Sequence, residues 1–443
     1  MRQSAPAGLR GLPTRHPLLR RNILANYAGS GVLVLAPLLA LPGYLAALGP
    51  AQFGLVSFVV LLQTILGLMD AGLGQALVRE FALRARPQGG PAIEAATLLR
   101  AVERVYWGFA LLAGALTALL AEPIARYWLQ LGPQSAADGV IAVVGAVLLF
   151  VLQFPGSLYR SLLIATEAQV RLNVVTIACA VYRHAGGVAV VSVWPTLTAY
   201  LAWHAGAALL ETMLRAVFAW RRLGVARNAV IWDPAALAAV WRMCLALSGA
   251  TLLGALTVQM DRIVLSRMTD LEQFGFYSIA ATVAVGVMQL VGPLVQAFLP
   301  RAIQARGDPS RLAALYLSLF RLVAILVAVG ALAYAMIGER LVGLWLRDAA
   351  AAERVAPVLA VLLVGSALNA FYNIGYMHWL VQGLPRRILA VNLSALLFSV
   401  TLVPLFVRNF GVIGAAVGWL VINFLGFALS LGWVRILHAR QRA

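Results

Sequence analysis

The stretch AQFGLVSF, residues 51–58, recurs in altered form as EQFGFYSI, residues 272–279. Both contain Gln-Phe-Gly, two further positions and then Ser, and the two copies are 221 residues apart. The identical pairs in this register are Gln52 and Gln273, Phe53 and Phe274, Gly54 and Gly275, Ser57 and Ser278, and Gln75 and Gln296. Self-similarity at a fixed spacing predicts an internal duplication.

The repeat continues along the chain with a spacing of 217 residues. The pairs in this second register are Arg104 and Arg321, Glu122 and Glu339, Trp128 and Trp345, Leu129 and Leu346, and Tyr159 and Tyr376. Aliphatic identities between Leu- and Ala-rich segments are common, so the charged, aromatic and amide pairs carry the evidence. We expect two halves with one ancestor.

The composition is that of a membrane protein. Of 443 residues, 62% are hydrophobic and 11% are charged, whereas a soluble domain carries about 25% charged residues. Every basic residue is Arg, the formal net charge is +18, and the arginines fall in short clusters between long apolar runs. This pattern indicates membrane topology signals and no nucleic-acid partner.

Crossing the hydrocarbon core takes roughly 20 apolar residues in a helix, and runs of this size occur twelve times. They lie near residues 23–45, 53–77, 102–121, 139–158, 172–193, 197–219, 243–265, 275–299, 313–337, 355–380, 388–407 and 411–434. The predicted fold is an all-α polytopic membrane protein of two six-helix lobes. Because six is even, both halves enter the membrane in the same sense, and a pseudo-two-fold axis along the membrane normal relates them.

The predicted division of the chain follows the spans. It comprises a basic N-terminal tail (1–22), an N-terminal lobe (23–222), an inter-lobe connection (223–242), a C-terminal lobe (243–434) and a C-terminal tail (435–443). The arginine bias of the connections places both termini in the cytoplasm. The segment PAALAAVWR (234–242) fits a short surface helix and a plain extension of the seventh span equally well.

Ionisable residues within spans are costly and usually face a cavity or a partner. Arg183 lies twelve residues after Arg171, roughly 18 Å along the fifth span. It either lines a polar cavity or pairs with a carboxylate for structural reasons. Arg104 and Arg321 either attract an anionic headgroup at the mouth of a cleft between the lobes or extend to lipid phosphates.

The sixth span contains His204, Glu211 and Arg215. Glu211 and Arg215 are four residues apart and predict an intrahelical ion pair. Protonation of Glu211 or His204 could instead couple transport to a proton gradient, since buried carboxylates and imidazoles can titrate near neutral pH. Asp70, near the cytoplasmic end of the second span, is the third coupling candidate.

Motifs for catalysis are missing from the sequence. It has no His-Glu-x-x-His segment, no nucleophile elbow and no cysteine pair with metal-ligand spacing. Cys179 and Cys244 lie in or beside apolar runs, where a disulfide framework is not expected. We therefore expect a protein that is not an enzyme and needs neither a cofactor nor a metal.

Two segments carry a resemblance to a family. QMDRIVLSRMTDLEQFGFYSIA (259–280) and LGPAQFGLVSFVVLLQTILGLMDAGLGQALVREFA (48–82) resemble the openings of the two halves of Wzx-type oligosaccharide flippases. These O-antigen and exopolysaccharide translocases form part of the polysaccharide transporter family, in the multidrug/oligosaccharidyl-lipid/polysaccharide exporter superfamily. The likeness extends over nearly the whole chain in length, span number and repeat.

The resemblance implies alternating access and export of undecaprenyl-diphosphate-linked repeat units to the periplasmic leaflet. It also implies a cationic lumen, for which Arg183, Arg104 and Arg321 are candidates, and a polysaccharide polymerase and glycosyltransferases as partners. Four residues of the tenth span suit sugar contacts or, equally, hydrogen bonds between helices: Asn369, Tyr372, Asn373 and Tyr376.

Three other functions compete with this interpretation. A cation-coupled multidrug or metabolite antiporter of the same superfamily should carry an acidic cluster in its N-terminal lobe, whereas the charge in mid-membrane here is Arg183. A lipid II flippase typically has two further helices. A non-transporting scaffold for polysaccharide assembly would have lost its coupling residues, against which Glu211 and His204 argue weakly.

Overall fold

The computed structural model describes residues 17–70, 73–84, 92–131, 135–231, 233–288, 290–434 and 436, and it is helical nearly throughout. The helices are α1 (Pro17–Gly67), α2 (Leu73–Arg84), α3 (Ile93–Leu119), α4 (Ala121–Pro123), α5 (Ala136–Ala165), α6 (Gln169–Val193), α7 (Leu197–Leu223), α8 (Pro234–Met268), α9 (Leu271–Met288), α10 (Val291–Gln304), α11 (Pro309–Leu346), α12 (Ala349–Gln382) and α13 (Pro385–Ser430). Apart from residues 17–22 and 436, the two predicted tails lie outside the described residues.

Twelve spans can be counted in these helices, which confirms the predicted number. Among the described residues, eight helices are long and apolar enough to cross a membrane. Two of them, α1 and α13, each contain two spans joined at a glycine with positive φ, Gly49 (74°) and Gly411 (60°), a conformation that glycine adopts without strain. The more strongly charged α7 and α8 complete the twelve. Helix α8 runs unbroken from Pro234, so the segment 234–242 extends the seventh span.

The duplication is visible in the positions where helices break. The second span is interrupted between Gly67 and Leu73, and the eighth between Met288 and Val291. Gly67 and Met288 are 221 residues apart, the spacing of the Gln-Phe-Gly repeat. The halves therefore share a backbone irregularity as well as sequence, and this supports the two-lobe prediction.

The two Gln-Phe-Gly segments meet where the lobes join. A β-carbon on Gly275 would lie 3.3 Å from the Gly54 nitrogen, and one on Gly54 would overlap the Leu271 carbonyl. The pseudo-two-fold axis thus passes between the equivalent glycines, whose missing side chains allow the backbones to touch. We call this end of the molecule the Gln-Phe-Gly end, and the opposite one, where α2 and α10 finish, the arginine-rich end.

The repeated tryptophans also bridge the lobes. The indole nitrogen of Trp128 donates to Ser266 Oγ at 3.0 Å, and that of Trp345 donates to the Leu38 carbonyl at 3.1 Å. The Leu38 carbonyl would normally accept from the N–H four residues later, but that residue is Pro42, which has none. Trp345 therefore satisfies a carbonyl that a proline in α1 leaves open.

The packed cores differ between the two ends. One apolar cluster, which includes Leu55 and Tyr277, contains residues of both lobes at the Gln-Phe-Gly end. Separate clusters fill the arginine-rich end, one around Phe81 and Leu158 in the N-terminal lobe and one around Tyr316 in the C-terminal lobe. The lobes share one core at the Gln-Phe-Gly end, whereas at the arginine-rich end each has its own cluster, with Leu237 of α8 packed against that of the N-terminal lobe.

The inter-lobe connection is attached to the N-terminal lobe. Glu103 is 2% exposed and accepts two hydrogen bonds from Arg227 of the connection, at 3.0 and 3.2 Å. Arg100 and Tyr159 donate to the same carboxylate, at 3.1 and 2.6 Å. A buried carboxylate needs such partners, and they fix the first part of the connection to α3 and α5.

Candidate functional site

A polar cavity of about 200 Å³ lies inside the N-terminal lobe, many times the roughly 10–15 Å³ that one water requires. Four helices surround it. Its lining residues are Leu33 of α1, Gln153, Ser157 and Arg160 of α5, Ala180, Arg183 and His184 of α6, and Glu211, Thr212 and Arg215 of α7. Charged residues of three consecutive spans face one another there, so the structure places this site within one lobe, whereas the sequence predicted a cleft between the lobes.

A chain of three charges crosses the cavity wall. Arg183 Nη2 contacts Glu211 Oε2 at 2.6 Å, and Arg215 pairs with the other oxygen of Glu211. Arg215 also donates to Thr176 Oγ1 at 3.2 Å. Both alternatives proposed for Arg183 therefore occur together: it lines a cavity, and it pairs with a carboxylate.

Arg160 adds a third guanidinium group from α5. It makes no ion pair with the described residues, although Asp70 lies near enough for their charges to interact. Asp70 accepts a hydrogen bond from the Tyr106 hydroxyl at 2.7 Å. The cavity therefore has three guanidinium groups against one carboxylate, with Asp70 beside it.

A cluster of rings lies beyond Arg183. His204 Nδ1 donates a hydrogen bond to the Tyr200 carbonyl at 2.9 Å, and the two rings stack with 3.8 Å between their centroids. The Tyr44 hydroxyl lies 3.5 Å from His204 Nε2 and donates to the His184 carbonyl at 3.2 Å. Of the three coupling candidates, Glu211 lines the cavity, Asp70 adjoins it, and His204 belongs to this buried cluster.

The other predicted arginines lie away from the cavity. Arg104 and Arg321 are both exposed, and each shares a helix face with exposed apolar residues such as Leu111 and Ile325. Neither lines the cavity. Their position at the surface of a span fits an extended arginine that reaches lipid phosphates.

The four predicted residues of the tenth span form a half-buried polar stripe on α12. Asn369 donates to Asn423 of α13 at 2.7 Å, and Asn373 donates to the Asn369 side chain at 3.1 Å. The Tyr372 and Tyr376 rings lie 6.3 Å apart, and their hydroxyls make no hydrogen bond with the described residues. Asn369 therefore joins α12 to α13, Asn373 bonds within α12, and the two tyrosine hydroxyls are left available.

Sequence reasoning missed Arg160 and the role of Arg215 in the cavity. Arg160 lies two residues beyond the predicted end of the fourth span at residue 158, whereas α5 continues to Ala165. With the helix bounds of the structure, the fourth, fifth and sixth spans each contain an arginine inside the helix. A single lobe with three such residues predicts a shared cavity.

Comparison with known proteins decides the family. The sequence profile of the family described as polysaccharide biosynthesis protein matches residues 19–306, about two thirds of the chain. The chain belongs to this family. No curated protein matches the whole sequence closely enough to add a relative.

Solved structures with the same fold cover almost the entire chain. The inward closed conformation of the lipid II flippase MurJ has a TM-score of 0.69 at 11% identity, covering 95% of this chain and 91% of its own. An inward-facing multidrug resistance MATE family transporter of the MOP superfamily has a TM-score of 0.66 at 15% identity, covering 92% and 96%. A MOP superfamily transporter from Pyrococcus furiosus, whose binding pocket has reversed polarity, has a TM-score of 0.58 at 16% identity, covering 96% of each chain.

At sequence identities of 11% to 16%, the similarity shows a shared fold only. This chain has the MOP superfamily fold, a multi-pass helical membrane architecture whose solved members here are transporters and a flippase. The family match associates the chain with polysaccharide biosynthesis. Both agree with the resemblance found in the sequence.

Proposed function

We propose that this protein flips undecaprenyl-diphosphate-linked oligosaccharide repeat units from the cytoplasmic to the periplasmic leaflet of a bacterial inner membrane. The arginine-rich end faces the cytoplasm, as the arginine bias of the connections requires. The lobes alternate between a state closed at the Gln-Phe-Gly end and a state open there. The product feeds the synthesis of a surface polysaccharide such as O-antigen or exopolysaccharide.

The observation that carries this proposal is the charge of the cavity. Arg160, Arg183 and Arg215 provide three permanent positive charges against the single carboxylate of Glu211. Guanidinium groups bind phosphate oxygens in charge-assisted, frequently bidentate hydrogen bonds, and their charge is worth most where water is scarce. The charged diphosphate is the part of the cargo that is least soluble in the hydrocarbon core of the bilayer. The arginines of this cavity replace the water that the diphosphate loses.

The sugar and lipid parts of the cargo use other surfaces. The hydroxyls of Tyr372 and Tyr376, which make no hydrogen bond with the described residues, offer donors, acceptors and ring faces to a glycan. The polyprenyl tail remains in the bilayer, against the apolar faces of the spans. Arg104 and Arg321 keep a secondary role as arginines that hold anionic headgroups near the arginine-rich end.

A cation-coupled drug antiporter fits the cavity less well. Such a transporter needs a carboxylate that is free to bind a cation, and both oxygens of Glu211 already contact arginines. Asp70 is held by Tyr106. Three arginines at this position would repel a cationic drug.

The proposal is tested with purified protein in liposomes that carry an undecaprenyl-diphosphate-linked oligosaccharide in one leaflet. Appearance of the glycan in the other leaflet is followed with a glycosidase that cannot cross the membrane. We expect flipping by the wild type and a loss of roughly tenfold or more for Arg183→Ala, since a hydrogen bond to a charged group contributes about 1.5–3 kcal/mol. Arg126→Ala is the matched control, because Arg126 is exposed and pairs with Glu122 on its own surface turn.

A second arm separates this function from its rival. Absence of flipping by the wild type, together with uptake of a cationic dye driven by a proton gradient, would establish the antiporter instead. In the host cell, deletion of the gene should abolish surface polymer and leave lipid-linked repeat units on the cytoplasmic side. Wild type should restore the polymer, and Arg183→Ala should not.

A further inference from the structure

The Arg183–Glu211–Arg215 chain has a feature that anion binding alone does not explain, namely a carboxylate at its centre. We propose that Glu211 is a resident counter-anion, which occupies Arg183 and Arg215 in the empty protein and is replaced there by the diphosphate of the cargo. This inference rests on the proposed function. It assigns Glu211 to the cargo cycle as a competitor, in place of the proton-coupling role considered from the sequence.

The geometry of the carboxylate is that of a phosphate substitute. Its two oxygens contact different guanidinium groups, Oε2 that of Arg183 and Oε1 that of Arg215. These arginines belong to different helices, α6 and α7, so one carboxylate bridges two spans. A phosphate group presents the same pair of acceptor oxygens with at least one more.

The pairing leaves donors unused. The Nε atoms of Arg183 and Arg215 are buried and have no hydrogen-bond partner among the described residues. A buried donor without a partner costs about 1–3 kcal/mol, and in this geometry the carboxylate oxygens contact the terminal nitrogens and leave both Nε atoms without an acceptor. A larger anion with more oxygens satisfies more of the same donors.

Arg160 contributes a third guanidinium group to the cavity. Arg160 makes no ion pair with the described residues. Helix α5 also lets α7 approach closely at this level, since a β-carbon on Gly156 would lie 2.9 Å from Thr212 Oγ1 and 3.5 Å from an Arg215 nitrogen. A diphosphate has two phosphate groups, so it can engage Arg160 as well as the arginine pair, which Glu211 does not do.

The consequence for transport is a balance between capture and release. With Glu211 present, cargo must displace an internal ion pair, so binding is weaker than three arginines alone would give. On the far side of the membrane, Glu211 returns to the arginines and expels the diphosphate. Removal of its charge should therefore strengthen binding and slow release.

The experiment measures binding of inorganic pyrophosphate to the purified full-length protein by calorimetry. Glu211→Gln keeps the shape of the side chain and removes its charge. We expect binding roughly tenfold to a hundredfold tighter than wild type, the effect of losing one competing charge-assisted hydrogen bond, together with slower flipping in liposomes. Glu122→Gln is the matched control, since Glu122 also pairs with an arginine four residues away but is exposed, and its binding should not change.

Each result has a defined meaning. Equal or weaker pyrophosphate binding by Glu211→Gln, with the wild type still binding and Arg183→Ala impaired, overturns the counter-anion role and leaves the proposed function intact. Absence of binding by wild type and Glu211→Gln alike overturns both. If Glu211→Gln is not monodisperse, Glu211→Asp answers the same question, because aspartate is one methylene shorter and cannot reach both arginines. Tighter pyrophosphate binding by Glu211→Asp than by the wild type supports the inference. Binding equal to or weaker than that of the wild type overturns it.

Discussion

Replacing Trp345 by Phe should loosen the Gln-Phe-Gly end more than replacing Trp128 by Phe. Both changes remove an indole N–H that crosses between the lobes. The acceptors they leave behind differ. Ser266 keeps a hydrogen bond, since its hydroxyl donates to the Ile263 carbonyl at 2.8 Å, whereas the Leu38 carbonyl has no N–H to accept from four residues later, because that residue is Pro42.

The magnitudes follow from this difference. An ordinary hydrogen bond contributes about 0.5–1.5 kcal/mol net, while a polar group left unsatisfied away from water costs about 1–3 kcal/mol. Since about 1.4 kcal/mol is a factor of ten in an equilibrium, Trp128→Phe should shift the balance between closed and open states roughly two- to twelvefold. Trp345→Phe should shift it roughly five- to 150-fold, because no water replaces the lost donor within the membrane.

The assay is a distance distribution between spin labels on exposed alanines of the two lobes, Ala137→Cys at the start of α5 and Ala350→Cys at the start of α12. Cys179 and Cys244 are first changed to alanine. The short-distance population reports the closed end. An effect of Trp345→Phe equal to or smaller than that of Trp128→Phe would refute the role of Pro42.

Three further outcomes are expected. Gly275→Leu should prevent the repeats from touching and lower the closed population in the same spin-label assay; an unchanged distribution would contradict the packing described for this end. Glu103→Ala should lower the free energy of unfolding by about 1.5–3 kcal/mol, because it removes a buried carboxylate that accepts hydrogen bonds from Arg227, Arg100 and the buried Tyr159, whereas Glu122→Ala should change it by less than about 1 kcal/mol; equal melting shifts would argue against the anchoring of the connection. Finally, if His204 takes part in proton coupling, His204→Gln should abolish the dependence of flipping on a pH gradient, while His378→Gln, equally buried and paired with Tyr316, should preserve it.

The fold could be predicted because its determinants repeat along the sequence. Apolar runs predict the spans, and the Gln-Phe-Gly pair predicts which positions of the two halves correspond. Because each half has an even number of spans, the two halves are parallel. Helix ends were less predictable: α3 begins at Ile93, nine residues before the expected 102. Arg100 and Glu103 are tolerated inside the helix because they pair with each other and with Arg227, a contact that only the folded chain reveals.

The candidate site could be predicted only in part. Depth along the fifth span pointed to Arg183, and spacing on the sixth pointed to the Glu211–Arg215 pair, which the structure contains. The contact that joins them, Arg183 to Glu211, depends on the relative axial positions of α6 and α7. Residue spacing within one helix does not determine those positions. The same is true of Trp345 and Leu38, which are 307 residues apart.

The meeting of Gly54 with Gly275 has a consequence for the history of the chain. A contact between equivalent positions across a two-fold axis is isologous, so the same surface serves both partners. A single six-helix ancestor with the Gln-Phe-Gly segment could thus have assembled as a parallel homodimer before the two copies were fused. A half-length protein carrying residues 23–222, redesigned to present identical surfaces at this axis, would be a direct reconstruction of that dimer.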